Sequence, residues 1–196
     1  MPFKSLAPGF LIASPPLGDP NFDRAVVLLA AHDEEGALGF VVNRMSAITV
    51  GELLQQEGYG ECRHDASPVW LGGPVQPRSG WLVIEDGRMR GEGVISVGPR
   101  LRVTSSRDAF DKLARQIARE GDGASRRAAR RMVVLGYSGW APSQLESEIA
   151  RGAWLPTPLD ASILFDVGPE ERWQQGFALM GLTATNLMSM RTVGEA

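Results

Sequence analysis

Side chains that usually announce a chemistry are scarce in this 196-residue chain. It has one cysteine, Cys62, two histidines, His32 and His64, and two tyrosines. A single cysteine excludes an intrachain disulfide and fits a reducing compartment. Cys62 and His64 stand two apart beside Asp65 in an irregular stretch, but structural zinc draws on a second such pair and the sequence has none. No metal site is therefore expected. No apolar run approaches the ~20 residues that span a bilayer. Lys4 ahead of Leu6 to Ala13 resembles the start of a secretion signal, yet Pro8 and Gly9 interrupt an apolar part that is too short. An excess of one charge is missing too. Twenty Lys and Arg stand against 23 Asp and Glu, a net charge of -3. That balance gives no general attraction to nucleic acid or anionic membrane. A soluble cytoplasmic protein is the expectation, with no membrane contact.

Nucleotide and nucleophile signatures are absent as well. There is no G-x-x-x-x-G-K-[ST] and no G-x-G-x-x-G after a strand, so no cofactor is expected. Gly136-Tyr137-Ser138-Gly139 lacks one spacing residue of the nucleophile elbow G-x-S-x-G. With Trp140 it reads as a turn into a helix that has Pro142 at its first position and Gly152 just past its end. Ser138 is then a turn or cap residue. Cys62 is a candidate reactive thiol, because Arg63 and His64 would favour thiolate; an unpaired cysteine is otherwise inert. Gly72-Gly73-Pro74 reads as a tight backbone corner, since Pro74 removes an amide where a phosphate cradle needs donors.

What the chain does have is a pair of apolar runs at its centre. Ala25 to Ala31 is unbroken, and Ala37 to Val42 is nearly so. Runs without alternation predict strands covered on both sides. Asp33-Glu34-Glu35-Gly36 between them predicts a hairpin turn. Ahead of it, Phe10 to Ala13 is a short strand, and Pro15, Pro16, Gly18 and Pro20 make a corner that no regular ladder can cross. Asp19 and Asn21 are placed to bond nearby amides there.

Beyond the hairpin, Thr49-Val50-Gly51-Glu52 predicts a capping box opening a short helix with Leu53 and Leu54 on its apolar side. Val69 to Leu71, Trp81 to Ile84 and Val94 to Val97 predict strands. Arg100, Arg102 and Thr104 alternate with Leu101, Val103 and Ser105, which predicts one buried and one wet face. Phe110, Leu113, Ala114 and Ile117 mark an amphipathic helix, ended by Gly121-Asp122-Gly123. Met132 to Leu135 is another strand. Trp154-Leu155 and Ile163 to Phe165 are short apolar segments, and Pro169 opens a last helix carrying Trp173, Phe177 and Met180. About eight strands and four helices in irregular order predict an α+β fold with a mainly antiparallel, strongly curved sheet. The length suits one domain, residues 1–196, or two small units sharing a core, with a loosely held tail after about residue 182.

Two polar groupings remain. Arg126, Arg127, Arg130 and Arg131 share one side of any helix there and could meet phosphates, but no aromatics or helix-turn-helix accompany them. A solvated basic turn is the plainer reading. Asp19, Asn21, Arg24, His32 and Asn43 flank the strands or corner of the central hairpin. Polar groups bordering a buried core are either satisfied structural groups or the lining of a cleft.

The segments ASPPLGDPNFDRAVVLLAAHDEEGALGFVVNR, WLGGPV, VLGYSGWAPSQLESEIARGAWL and ILFD followed by RW resemble the YqgE/AlgH family of bacterial proteins, in order, from about Leu6 to Leu182. The resemblance implies one α+β domain whose sheet curls into a pseudo-barrel with about four flanking helices, and no established enzyme activity. Some members carry the label of transcriptional regulator, from a connection with alginate production. A cysteine often found before the matching histidine is replaced, since Ala30 and Ala31 precede His32. The expectation is a binding or regulatory protein acting through a partner protein or small ligand rather than by reading DNA. Its candidate cleft is bordered by Asp19, Asn21, Arg24, His32 and Asn43. The alternative is an enzyme with His32 as base beside a carboxylate such as Asp33.

Overall fold

The computed structural model describes residues 3–15, 19–120 and 130–182. Pro16 and Gly18 of the corner, the Gly121-Asp122-Gly123 stop, Arg126, Arg127 and the tail after residue 182 lie outside the described residues. In chain order the strands are β1 (Gly9–Ala13), β2 (Val26–Asp33), β3 (Gly36–Val41), β4 (Met45–Thr49), β5 (Pro68–Leu71), β6 (Val75–Glu85), β7 (Val94–Val97), β8 (Leu101–Thr104), β9 (Arg131–Trp140) and β10 (Trp154–Pro158). The helices are α1 (Val50–Gln56), α2 (Arg107–Glu120), α3 (Gln144–Ala150), α4 (Ala161–Phe165) and α5 (Arg172–Ala178). By its contacts the chain forms two compact units, residues 1–43 with 138–196, and residues 44–137.

The first unit is built on the β2–β3 hairpin. Its turn is fixed by Asp33 Oδ1, which accepts the Glu35 N–H at 2.9 Å, and by Gly36 at φ 133. β1 lies antiparallel to β2, and β10 antiparallel to β1. The last residues of β9 close the other side, with Leu38 opposite Gly139 and Gly39 opposite Ser138. Val26, Val27, Leu28 and Leu29 are wholly buried, as unbroken apolar runs require. Each such side chain contributes about 1.5–3 kcal/mol. One face of the hairpin packs into a core of Leu11, Val27, Leu29, Val41, Trp140, Leu145 and Trp154. α5 packs on β1 and β2, and its Trp173 indole donates to the Ala13 carbonyl at 2.8 Å.

The second unit contains β4 to β8 and the start of β9. Its ladder runs β7–β8–β6–β9–β5–β4. Among the described residues β5 with β9 is the one parallel pair. α1 opens with the expected capping box. Thr49 Oγ1 accepts from Glu52 N at 3.2 Å, and the Glu52 carboxylate accepts from Thr49 N at 2.8 Å. The core gathers Leu54, Cys62, Val69, Leu82, Leu113, Ile117 and Val133. The fold is thus α+β, with a mainly antiparallel sheet curved by register shifts at Leu29/Ala31, Met45/Thr49 and Val75/Gly80.

Several expectations are corrected. Gly136 to Trp140 is not a turn: β9 runs unbroken through it, and Ser138 is a buried strand residue. Gly136 takes φ 70, so the chain can bend there without leaving the ladder. α3 starts at Gln144 rather than Pro142, and α5 at Arg172 rather than Pro169. Trp154-Leu155 and Ile163 to Phe165 are ordered as β10 and α4, and β4 had no periodic signal to give it away. β8 has no wet face. Arg102 is 4% exposed, and its guanidinium donates to the carbonyls of Gly87, Met89, Gly98 and Leu101. An arginine whose three guanidinium nitrogens are all bonded can be buried where simple alternation predicts water.

Candidate functional site

The second unit holds a cleft of about 220 Å³. Its apolar wall comes from α1 (Leu53, Leu54), α2 (Phe110) and β9 (Leu135), all part of or packed on the unit's core. Glu57 and Tyr59 follow α1, and Ser105 and Arg107 stand where α2 begins. Arg78 and Gly80 come from β6. Arg78 reaches the cleft through a bulge. Val75 lies opposite Tyr137 and Gly80 opposite Leu135, so five steps on β6 face two on β9. The three additional residues loop out, with Gln76 at φ 45, and Arg78 is carried on that loop. Gly80 leaves room for the Phe110 ring, whose Cζ would stand 3.2 Å from a Cβ there.

The tight corner expected at Gly72-Gly73-Pro74 supports this loop. Gly72 N–H donates to the Leu135 carbonyl at 2.8 Å, and a Cβ on Gly72 would meet Gly136 O at 2.5 Å. Tyr59 donates its hydroxyl to Asp111 Oδ1. That bond, with burial and the Asp111 charge adding and Arg107 opposing, raises the phenol above its ordinary value. Tyr59 therefore meets the cleft as a neutral ring. Neither Arg78 nor Arg107 has an ion-pair partner among the described residues. Chemically the site offers an apolar surface with two guanidinium groups and one carboxylate, Glu57, at its edge.

The five residues expected around one cleft fall at two ends of the first unit's hairpin. Asn43 Oδ1 accepts from Val26 N at 2.9 Å, and its Nδ2 donates to the Arg24 carbonyl at 2.8 Å. Arg24, at φ 50, sets its guanidinium 5.6 Å from the Trp173 ring centre. Asp19 Oδ1 accepts from Asn21 N at 2.8 Å in the corner. His32 is at the opposite end of β2, six residues from Val26, which is about 20 Å of strand. The structure brings Arg24 and Asn43 together, and Asp19 with Asn21, but His32 belongs to another neighbourhood.

That neighbourhood saturates the imidazole. Leu6 N–H donates to His32 Nδ1 at 3.0 Å, so the ring proton sits on Nε2, which donates to Glu146 Oε1 at 3.1 Å. The side chain is 2% exposed, and Phe3 packs edge-on at 4.9 Å. Asp33 takes no part, since its carboxylate holds the hairpin turn.

The other sequence candidates are engaged too. Cys62 is buried and its thiol donates to the Ala114 carbonyl; His64 Nε2 donates to the Ile117 carbonyl at 3.1 Å. Among the described residues no group of three or more His, Cys, Asp or Glu could hold a metal ion. Arg130 bonds Glu85, and Arg131 bonds Asp65 at 3.1 Å with both side chains 8% exposed. No helix among the described residues is long and apolar enough to cross a membrane.

Sequence reasoning placed Leu53, Leu54 and Phe110 on apolar helix faces but missed Arg78, Arg107, Ser105 and Tyr59 as cleft residues. A signal existed: Pro77 and Gly80 bracket Arg78 inside an otherwise strand-like stretch, which marks a bulge.

An α+β chain with an arginine-edged apolar cleft and a fully bonded histidine is the class defined so far. A family model described as AlgH-like matches residues 10–185, and the chain belongs to that family. It is 42% identical to a UPF0301 protein from Anaeromyxobacter dehalogenans (strain 2CP-C) over 185 residues, 90% of this chain and 89% of the relative. It is 41% identical to one from Xanthomonas campestris pv. campestris (strain B100), covering 90% of each. Its fold is similar to the solution structure of the AlgH protein from Pseudomonas aeruginosa, with a TM-score of 0.73, 34% identity, and 96% and 97% of the two chains covered. A protein from Corynebacterium diphtheriae shares the fold at 22% identity and a TM-score of 0.65.

Proposed function

We propose that this protein is a binding or regulatory protein that takes up a small ligand in the cleft of its second unit. The observation that carries this reading is the cleft's lining: apolar side chains under two arginines that no carboxylate among the described residues has claimed. Such a lining recognises and holds. The base expected of an enzyme here, His32, lies outside this cleft and already has both ring nitrogens bonded. In this reading the protein works in the cytoplasm, and any effect on transcription passes through a ligand or partner rather than through direct contact with DNA.

A screen of small organic fragments against isotope-labelled protein tests it. Fragments should shift the amide signals of Leu53, Tyr59, Gly80, Phe110 and Leu135. Gly80→Val, which fills the floor beside Phe110, should abolish those shifts while the protein stays folded. Shifts confined to other residues, or equal shifts in Gly80→Val, would refute the reading.

A further inference from the structure

Resting on that reading, the geometry points to a ligand class: a small monocarboxylate with an apolar body, its carboxylate held between Arg78 and Arg107. Size comes first. The cleft volume is about 220 Å³, which equals roughly seven waters at about 30 Å³ each. That is below the ~300–1,000 Å³ of clefts that take drug-sized ligands, so the occupant is short. The wall decides the body. Leu53, Leu54, Phe110, Leu135 and the Tyr59 ring offer carbon, and the Tyr59 hydroxyl is occupied by Asp111. A polar body would lose hydrogen bonds to water and regain few here.

Charge decides the head. In the lining itself Arg78 and Arg107 contribute two positive charges and Glu57 one negative, a net of about +1, while the Asp111 carboxylate behind Tyr59 is engaged by its hydroxyl. A single carboxylate neutralises that sum, while a dianion would leave excess negative charge beside Glu57. Guanidinium also fits carboxylate geometrically, with two parallel N–H donors for two oxygens. The two arginines arrive by different routes, one on the β6 bulge and one at the first residue of α2. An anion bound in the cleft would then meet guanidinium groups carried by two separate elements. The positive end of α2, a helix of 14 residues, adds to the same potential without being needed for it.

The test is a titration of the full chain, followed by amide shifts at Leu53, Tyr59, Gly80, Phe110 and Leu135, with four probes: hexanoate, 1-hexanol, hexylamine and hexyl phosphate. Hexanoate should bind saturably, hexanol at least about tenfold more weakly, and hexylamine not at all. Arg78→Gln and Arg107→Gln should each weaken hexanoate about tenfold, the equivalent of one charge-assisted hydrogen bond. They should leave hexanol unchanged and unfold at the wild-type temperature, since both side chains are exposed. Equal binding of hexanoate and hexanol, or full hexanoate affinity in both variants, overturns the carboxylate and leaves the cleft as a binding site. Tighter binding of hexyl phosphate than hexanoate overturns the monoanion. If no probe moves the cleft amides, this inference fails. The broader reading then falls only if the fragment screen also leaves the cleft silent.

Discussion

Trp140 and Trp154 donate their indole N–H groups to the same carboxylate oxygen, Glu148 Oε2, each at 2.8 Å. The rings meet edge to face at 5.9 Å, and Phe22 packs on both. Trp140 ends β9, Trp154 begins β10, and Glu148 lies on α3 between them. One acidic side chain thus closes the β9–α3–β10 segment of the first unit on itself. Removing it leaves two indole donors, 7% and 2% exposed by residue, without an acceptor. Glu148→Ala should therefore cost about 2–4 kcal/mol, the sum of two buried donors left unmet. Glu148→Gln, which keeps an acceptor but loses the charge, should cost less than half of that. Urea denaturation followed by tryptophan emission checks both. A loss below 1 kcal/mol for Glu148→Ala would show that water replaces the carboxylate.

Asp65 and Arg131 form an ion pair inside the second unit, each side chain 8% exposed. Burial by itself would raise the Asp65 carboxyl. Hydrogen bonds from Ser67 and the charge and hydrogen bond of Arg131 outweigh it, and the net shift is downward from 3.8. The sign of the pH effect follows. The folded state holds the carboxyl proton less tightly than the unfolded state. The pair's contribution is therefore complete above the unfolded value, near pH 4–5 and upward, and is lost as pH falls through the lower folded value. Asp65→Asn should lower stability at pH 7 by about 3 kcal/mol, because Arg131 is left buried without its counter-charge. The gap between variant and wild type should narrow below pH 4. Equal gaps at pH 7 and pH 3, from urea denaturation at each pH, would contradict this account.

How far the sequence carried depends on whether the relevant interaction is local. The hairpin was readable because Val26 to Leu29 and Phe40 to Val42 are buried without alternation, and its turn and the Thr49–Glu52 box involve residues three or fewer apart. Arg102 was misread because its burial is made acceptable by the carbonyls of Gly87, Met89 and Gly98, which no local pattern announces. The strand through Ser138 was misread because Gly136 looks like a stop, and only its packing against Gly73 and Pro77 shows that it is a bend. The five candidate residues do not gather around one cleft, for a geometric reason. Arg24, His32 and Asn43 flank one hairpin in sequence, but a hairpin has two ends. Arg78 and Arg107 are 29 positions apart and line one cleft, Arg78 carried there by the β6 bulge.

His32 ties the first residues of the chain to β2. Its Nδ1 accepts the Leu6 amide, and Phe3 covers the ring, while Ser5 Oγ donates to the His32 carbonyl at 2.8 Å. In His32→Ala the backbone bond from Ser5 survives and the Leu6 bond does not. The Leu6 amide should then exchange with solvent at least about tenfold faster, the loss of one hydrogen bond. Val27 and Leu28, at the centre of β2, should keep their protection. Unchanged exchange at Leu6 would mean that the imidazole does not hold this segment.

Gly136 and Gly93 separate two costs that a glycine substitution usually mixes. Both have left-handed backbones, φ 70 and φ 71. A Cβ on Gly93 would meet nothing within 4 Å, whereas one on Gly136 would stand 2.6 Å from Gly73 O and 3.1 Å from Pro77 Cα. Gly93→Ala should cost only the conformational strain, about 1–2 kcal/mol. Gly136→Ala should add about 1–3 kcal/mol of overpacking against backbone that cannot turn aside. The added cost has a direction: Pro77 must move, and Arg78 is the next residue on the bulge. Hexanoate affinity should fall in Gly136→Ala at a temperature where the protein is fully folded, and should be unchanged in Gly93→Ala. If both variants lose stability equally, the contact with Pro77 is not tight. If Gly136→Ala is destabilised but binds hexanoate normally, the bulge does not position Arg78.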